Sequence, residues 1–535
     1  MNKSKSIILF VLLILSFNQS NASTVSILDK KPKDNGLSKQ LDNIRRRDLV
    51  NFGNIIENEV LVGYYMFRKM DNTGGGKALF QLEILDENLK SKKTIKFEKK
   101  KNQLLVEMCY NGKVFLIIMT NKKGIDMITY SKDGKKVSEK NIKKLNKYER
   151  ARMSSSLQSE ETNLSTIYPM GENGFYRQSY VKNKKLGFTV EAFSNDLKTL
   201  WTYTSSKTSK EVEAVDILYA SENYLALLHA HKKNLMTKEI NNDFLFLDGK
   251  DGKKMFSLPM KEISTLSIQG CYVNEAKNEI ILNGEYFAKG SKIYNSKSEG
   301  LYLMKLNLEG EELKMEKLSW KKDLTKLLVT DADKGSSKEN MRFFVHKVIN
   351  DSNGKTYIIA EQYKRIISAK AVGMNIANAA LGGGGSDLSN ISIKIYNLVY
   401  LVLDADFKVQ EMDIVKKKFS EFYLPKGAEF YSPTMIAQYI KATNNFDYQF
   451  TSLNKDKSGF ITFYIDLNRK SEDKKKNDAV IGTISLSNGA IETKRIPFNT
   501  EFNTVIFRNA KQGYILIGEY WRKKKQLMLR LEPVI

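Results

Sequence analysis

The amino-acid sequence predicts an all-β chain, folded as a single β-propeller of seven or eight antiparallel blades with three to four strands each and two short helical insertions. Three observations point there. Runs of five to nine apolar, β-branched and aromatic residues alternate with Asn, Gly, Asp and Lys, which is strand-and-turn patterning. These runs resemble one another and recur mostly about 50 to 60 residues apart, and self-similarity at a fixed spacing marks an array. The last run reaches Ile535, as expected of a chain that ends where a ring closes. Tandem β-sandwich domains are the competing architecture.

Residues 1–22 read as a secretory signal: Lys3 and Lys5 form a positive start, Ile7 to Phe17 an apolar stretch, and Ser20-Asn21-Ala22 a small-x-small cleavage site. The apolar stretch is too short to cross about 30 Å of hydrocarbon as a helix. Cleavage near Ala22 is therefore expected, with delivery to the periplasm or the exterior and no transmembrane span in the mature chain. Residues 23–47 form a polar segment, and the propeller is placed over 48–535. Two cysteines, Cys109 and Cys271, cannot staple so long a chain, so the fold must rest on its core. They fall at comparable places in non-adjacent units, which predicts two buried free thiols instead of a bridge.

The repeat begins with an apolar strand ending in a small residue and a polar-aromatic pair. Its copies are Val60 to Tyr65, Ile280 to Tyr286, Tyr357 to Tyr363 and Tyr514 to Tyr520. A second strand follows, ending in Asp, Asn or Gly: Phe80 to Asp86, Leu301 to Asn307 and Val399 to Asp404. Such residues suit the positive backbone angles of tight hairpins. A third, more polar strand closes the unit, as in Lys92 to Phe97, Glu312 to Leu318 and Glu492 to Pro497. First-strand centres near residues 62, 116, 176, 226, 282, 359, 463 and 516 make eight units.

Two insertions interrupt the array. Residues 366–391 hold a small-residue stretch and the run Gly382 to Gly385; Met374, Ile376, Ala377 and Leu381 suggest a short apolar helix ending at glycine. These four are the candidate partner-binding residues. Residues 416–445 contain Ser432-Pro433, a helix cap followed by proline at the first helical position, with Met435, Ile436, Tyr439 and Ile440 on one face.

Catalytic patterns are sparse. The glycine run lacks the Gly-Lys-Ser/Thr of a phosphate loop, no Gly-x-Ser-x-Gly elbow is present, and no cofactor is predicted. His229 and His231 share one strand face, but two imidazoles do not complete a metal site. Asn454, Asp456 and Ser458 place oxygen ligands at alternate positions, like half a calcium loop, without the closing Glu; a polar hairpin explains them equally. The formal charge is +25, yet 72 of 86 basic residues are Lys, and specific nucleic-acid readout favours the planar guanidinium. The lysines are also scattered along the chain, as at Lys99 to Lys101, Lys143 to Lys144, Lys474 to Lys476 and Lys523 to Lys525. Nucleic acid is thus disfavoured as a partner.

The repeated apolar-Gly-Glu-Tyr strand and the Leu-Asp turn, with a small-residue insertion in one unit, resemble exported, uncharacterised β-propeller-like repeat proteins of Gram-negative bacteria. That resemblance implies a propeller and supplies no catalytic residues. The expected function is an exported non-enzymatic scaffold binding a protein, peptide or cell-envelope component. The alternatives are an envelope glycan-active hydrolase or lyase with channel carboxylates, and a polyanion binder.

Overall fold

The computed structural model describes residues 37–534 apart from 45–50, 150–165, 329–340, 368–387, 426–431, 469–477, 498–503 and further gaps of one to three residues. Eight antiparallel sheets follow one another along the chain, at 51–100, 104–142, 167–204, 212–259, 270–319, 342–415, 448–497 and 504–533, here blades 1 to 8. Blades 1 to 7 each have four strands in sequential order, blade 8 has three and takes its fourth from elsewhere in the chain, and the first strands of neighbouring blades approach one another around the axis. The fold is an eight-bladed propeller.

The units read from the sequence are displaced by one strand. The apolar runs centred near 62, 116 and 176 are the second strands of their blades, each preceded by a strand the repeat did not contain, such as Leu104–Tyr110 or Gly270–Asn274. Second and third strands lie between two neighbours and are buried on both faces: Val114–Thr120 is buried throughout. First strands are shorter and partly polar, as in Tyr448–Leu453, so they give no continuous apolar signal.

The turns between third and fourth strands share one device. Asp86, Ser131, Ser194, Asn307 and Asp404 each accept, through the side chain, the N–H four residues on. The residue before that N–H is left-handed: Leu89, Gly134, Leu197, Gly310 and Phe407 have φ between 60° and 90°, with 65°, 63° and 60° for the three non-glycines. Where the residue is not glycine its side chain is buried, and burying Leu89, Leu197 and Phe407 offsets the backbone cost.

Closure comes from the other end of the chain. Ser38–Leu41 forms the fourth strand of blade 8, antiparallel to Gln526–Pro533, with Ser38 opposite Arg530 and Leu41 opposite Leu527. The ring therefore begins inside the 23–47 segment, ahead of the boundary expected at 48. Tyr64 of blade 1 and Tyr520 of blade 8 meet in one cluster with Leu41, Phe52, Leu516 and Leu529, and the Tyr64 hydroxyl accepts the N–H of Lys511 at 3.3 Å. Equivalent clusters fill each of the other junctions between blades.

Of the two insertions, 366–391 enters and leaves through strands: Thr356–Ile367 and Leu388–Leu403 run on as a hairpin, Ile367 opposite Ile391. The stretch expected as a helix lies outside the described residues. Within 416–445, Ser420–Pro425 adds a fifth strand beside Leu388–Leu403, and a helix, α1 (Pro433–Ala442), begins at the expected proline. Ile436, Ala437, Tyr439 and Ile440 of α1 pack on Phe344, Tyr363, Ile393 and Leu424. No helix of the described residues is long and apolar enough to cross a membrane.

Leu41 is nearly buried in the closing cluster, so Leu41→Ala should cost about 2–3 kcal/mol. Urea unfolding against wild type checks this; an unchanged midpoint would mean that the Leu41 side chain adds nothing to the closing cluster.

Candidate functional site

Because successive strands alternate in direction, each blade turns between its second and third strands at the same end of the propeller from which it passes to the next blade. This connection end holds a set of buried acids. The second strands of blades 5 to 8 carry an acid near it: Glu285, Glu361, Asp466 and Glu519, none more than 1% exposed. In three blades it is the Glu of the apolar-small-Glu repeat.

Each acid is occupied by a fold contact. Glu361 accepts the N–H groups of Asp447 (3.3 Å) and Tyr448 (3.1 Å), holding the passage from blade 6 into blade 7. Lys417, from the same passage, places its ammonium 3.2 Å from Glu361 and 2.5 Å from Asp447, and Ser420 donates to Asp447 at 2.7 Å. A register shift after Val345 sets His346 3.3 Å from Glu361, with its ring stacked on Tyr448 at 4.3 Å. Asp466 accepts the N–H of Lys418 and pairs with Arg495 at 2.6 Å. Glu519 pairs with Arg530 at 2.9 Å. Glu285 accepts from Ser298 and from Thr434 of α1, which pins the helix to blade 5.

Burial disfavours charge on Glu285, Glu361, Asp447 and His346, and the outcome depends on the partners. Burial lifts Asp447 to about 6, assisted by the neighbouring Glu361 charge and opposed by Lys417. For Glu361 burial is outweighed by Lys417 and His346, which hold its pKa low. Burial raises Glu285 and lowers His346, the latter against the pull of Glu361.

Blade 4 carries His229 at the corresponding place. As expected from alternation, His229 and His231 share a face, their rings stacked 5.2 Å apart. Neighbouring strands bring three carboxylates that the strand's own sequence did not reveal. Asp243 lies 3.4 Å from both imidazoles, Glu211 accepts from His231 at 2.6 Å, and Glu213 is 3.7 Å from His229. Burial opposes the charge on His229, but Asp243 and Glu213 outweigh it and push the pKa up to about 9. Asp243 likewise raises His231, and despite burial the two imidazoles depress Asp243. These are charged pairs; among the described residues no group of three or more His, Cys, Asp and Glu is arranged to hold a metal.

The sequence-predicted sites fare unevenly. Met374, Ile376, Ala377 and Leu381 lie outside the described residues, as does Asp456. Asn454 and Ser458 sit at the hairpin between Tyr448–Leu453 and Phe460–Asn468, where the Asn454 N–H donates to the carbonyl of Gly459 at 2.9 Å. Cys109 and Cys271 are free and stand on the first strands of blades 2 and 5. Both residues are half-buried, and desolvation pushes the Cys109 thiol up to about 12. That protonation leaves it a poor nucleophile.

The family model for DUF6770 matches residues 22–534. The chain belongs to this family of unknown function. No curated protein matches it. Among solved structures it is similar to prolyl oligopeptidase B from Galerina marginata, at 10% identity and TM-score 0.39, over 89% of this chain and 56% of that one. A eukaryotic initiation factor aligns at 9% identity and TM-score 0.35, over 85% and 96% of the two chains. Hydrazine synthase of Kuenenia stuttgartiensis aligns at 8% identity and TM-score 0.31, over 77% and 92%. The chain thus spans little more than half the length of the oligopeptidase.

The raised His229 pKa fixes a pH signature. Its stabilising contribution is fully present below about 6.5, the unfolded value, and is lost as pH rises through about 9. The H229Q/H231Q double variant should trail wild type by on the order of 1 kcal/mol near pH 6, with the gap closing toward about pH 9. Denaturant unfolding across that range checks it.

Proposed function

We propose that this DUF6770 protein is an exported, non-enzymatic propeller scaffold that holds a protein, peptide or cell-envelope component at its connection end. One observation carries the reading: the buried acids of that end are engaged in fastening blade connections, α1 and neighbouring basic side chains. Export rests on the pattern of residues 1–22. The lengthened hairpin of blade 6, widened by Ser420–Pro425, leads into 368–387 and so to Met374, Ile376, Ala377 and Leu381, which suits a contact segment carried on a rigid support. Deleting 368–387 should leave the melting temperature unchanged and abolish capture of a partner from an envelope extract. A large drop in melting temperature would make the segment part of the core and overturn its assignment as a contact.

A second reading, an envelope glycan-active hydrolase or lyase, draws on Asp447 and Glu361, whose pKa values are pushed apart, as acid–base pairs require. Glu361→Gln separates the two. On the scaffold reading it strips a buried partner from Lys417 and lowers stability by about 3 kcal/mol, while the folded fraction still captures its partner. Glycan cleavage by wild type, lost in a variant of unchanged stability, would favour the enzyme.

A further inference from the structure

The lysines that look scattered along the chain are collected by the topology. Lys101 follows blade 1, Lys184, Lys233 and Lys297 lie between the second and third strands of blades 3, 4 and 5, Lys322 joins blades 5 and 6, and Lys523 belongs to the turn of blade 8. All six are exposed and all stand at the connection end. The blade 8 turn, Arg522 to Lys525, is four consecutive cations. Contacts between neighbours show these segments sharing one end: Lys69 donates to the carbonyl of Lys101, Lys185 to that of Lys233, and the Ile44 N–H to that of Lys525.

The opposite end differs. Its turns carry carboxylates paired with the lysines there: Glu57 with Lys132 at 2.7 Å, Asp196 with Lys198 at 2.7 Å, Asp251 with Lys253 at 2.5 Å and Asp406 with Lys314 at 2.5 Å. The connection end has such pairs as well, Lys77 with Glu98 at 3.1 Å and Lys261 with Glu239 at 2.5 Å, but its exposed lysines outnumber its exposed acids, so the unpaired positive charge is concentrated there.

We propose that the connection end is a docking face for an anionic lipid bilayer, the propeller seating end-on against the phosphate headgroups. The charges run round a circle of blades. A linear polyanion touches a circle along one stripe, whereas a planar surface meets all of it at once. Lysine presents a hydrated point charge suited to many headgroups, without the fork used for base or bidentate readout. Among the described residues, of the exposed large apolar side chains Leu104 alone stands at this end, so attachment is electrostatic and lacks the stacking platform of single-strand nucleic-acid binders. The inference rests on the cell-envelope part of the proposed function and names the component.

Flotation of the full chain with vesicles tests it. Vesicles containing about one-third phosphatidylglycerol in phosphatidylcholine should carry the protein, pure phosphatidylcholine should not, and binding should fall steeply with added salt. Replacing Lys101, Lys184, Lys233, Lys297, Lys322 and Lys523 with Glu should weaken binding about tenfold or more. The same change at the opposite end, at Lys90, Lys113, Lys135, Lys250, Lys277 and Lys355, should not. Equal binding to neutral vesicles, equal loss in both variants, or DNA competing with vesicles at lower charge concentration would overturn the proposal. Failure here with partner capture intact would leave the scaffold reading standing; loss of capture with vesicle binding intact would do the reverse.

Discussion

The whole ring depends on four residues reaching across it. Backbone pairing of Ser38–Leu41 with Gln526–Pro533 joins the two ends of the chain in one sheet, so the last blade is completed by a segment more than four hundred residues away in sequence. Without it Gln526–Pro533 would be an open edge, and the cluster shared by blades 8 and 1 would lose Leu41. Each remaining junction is a similar apolar cluster between two sheets, so a blade has no separate core of its own. Stability is held in the junctions, and the closing pairing is what keeps all of them present together.

Buried acids do at the connection end what apolar packing does between blades. A carboxylate taken out of water is costly unless its oxygens are answered. Glu361 is answered by two backbone N–H groups, an ammonium and a histidine; Glu519 by a guanidinium; Glu285 by two hydroxyls. In exchange the passages between blades, which have no ladder of their own, are fixed in place. The arrangement leaves these acids serving the frame.

How much of this was legible follows from where each signal resides. Buried second and third strands announce themselves because both faces are covered, and their turns because Asp, Asn, Ser and Gly perform a local task. First strands such as Tyr448–Leu453 did not, since they are short and partly polar. Ser38-Lys39-Gln40-Leu41 has no apolar run at all; its strand character comes wholly from its partner. At the site, the Glu of the repeat was visible as a recurrent letter, but its role was not, because Lys417, Asp447 and Thr434 lie far along the chain. The histidines' shared face was readable from alternation, and their carboxylates, supplied by flanking strands, were not.

Local chemistry in the sequence by itself determined the period of the array, its β character, the hairpin turns and the start of α1, since each depends on residues close together. Tertiary structure decided which segment closes the ring, which acids become anchors and where the lysines gather. The reason is direction: antiparallel strands return every second turn to the same end, so charges separated by hundreds of residues become neighbours on one face while the sequence presents them as scatter.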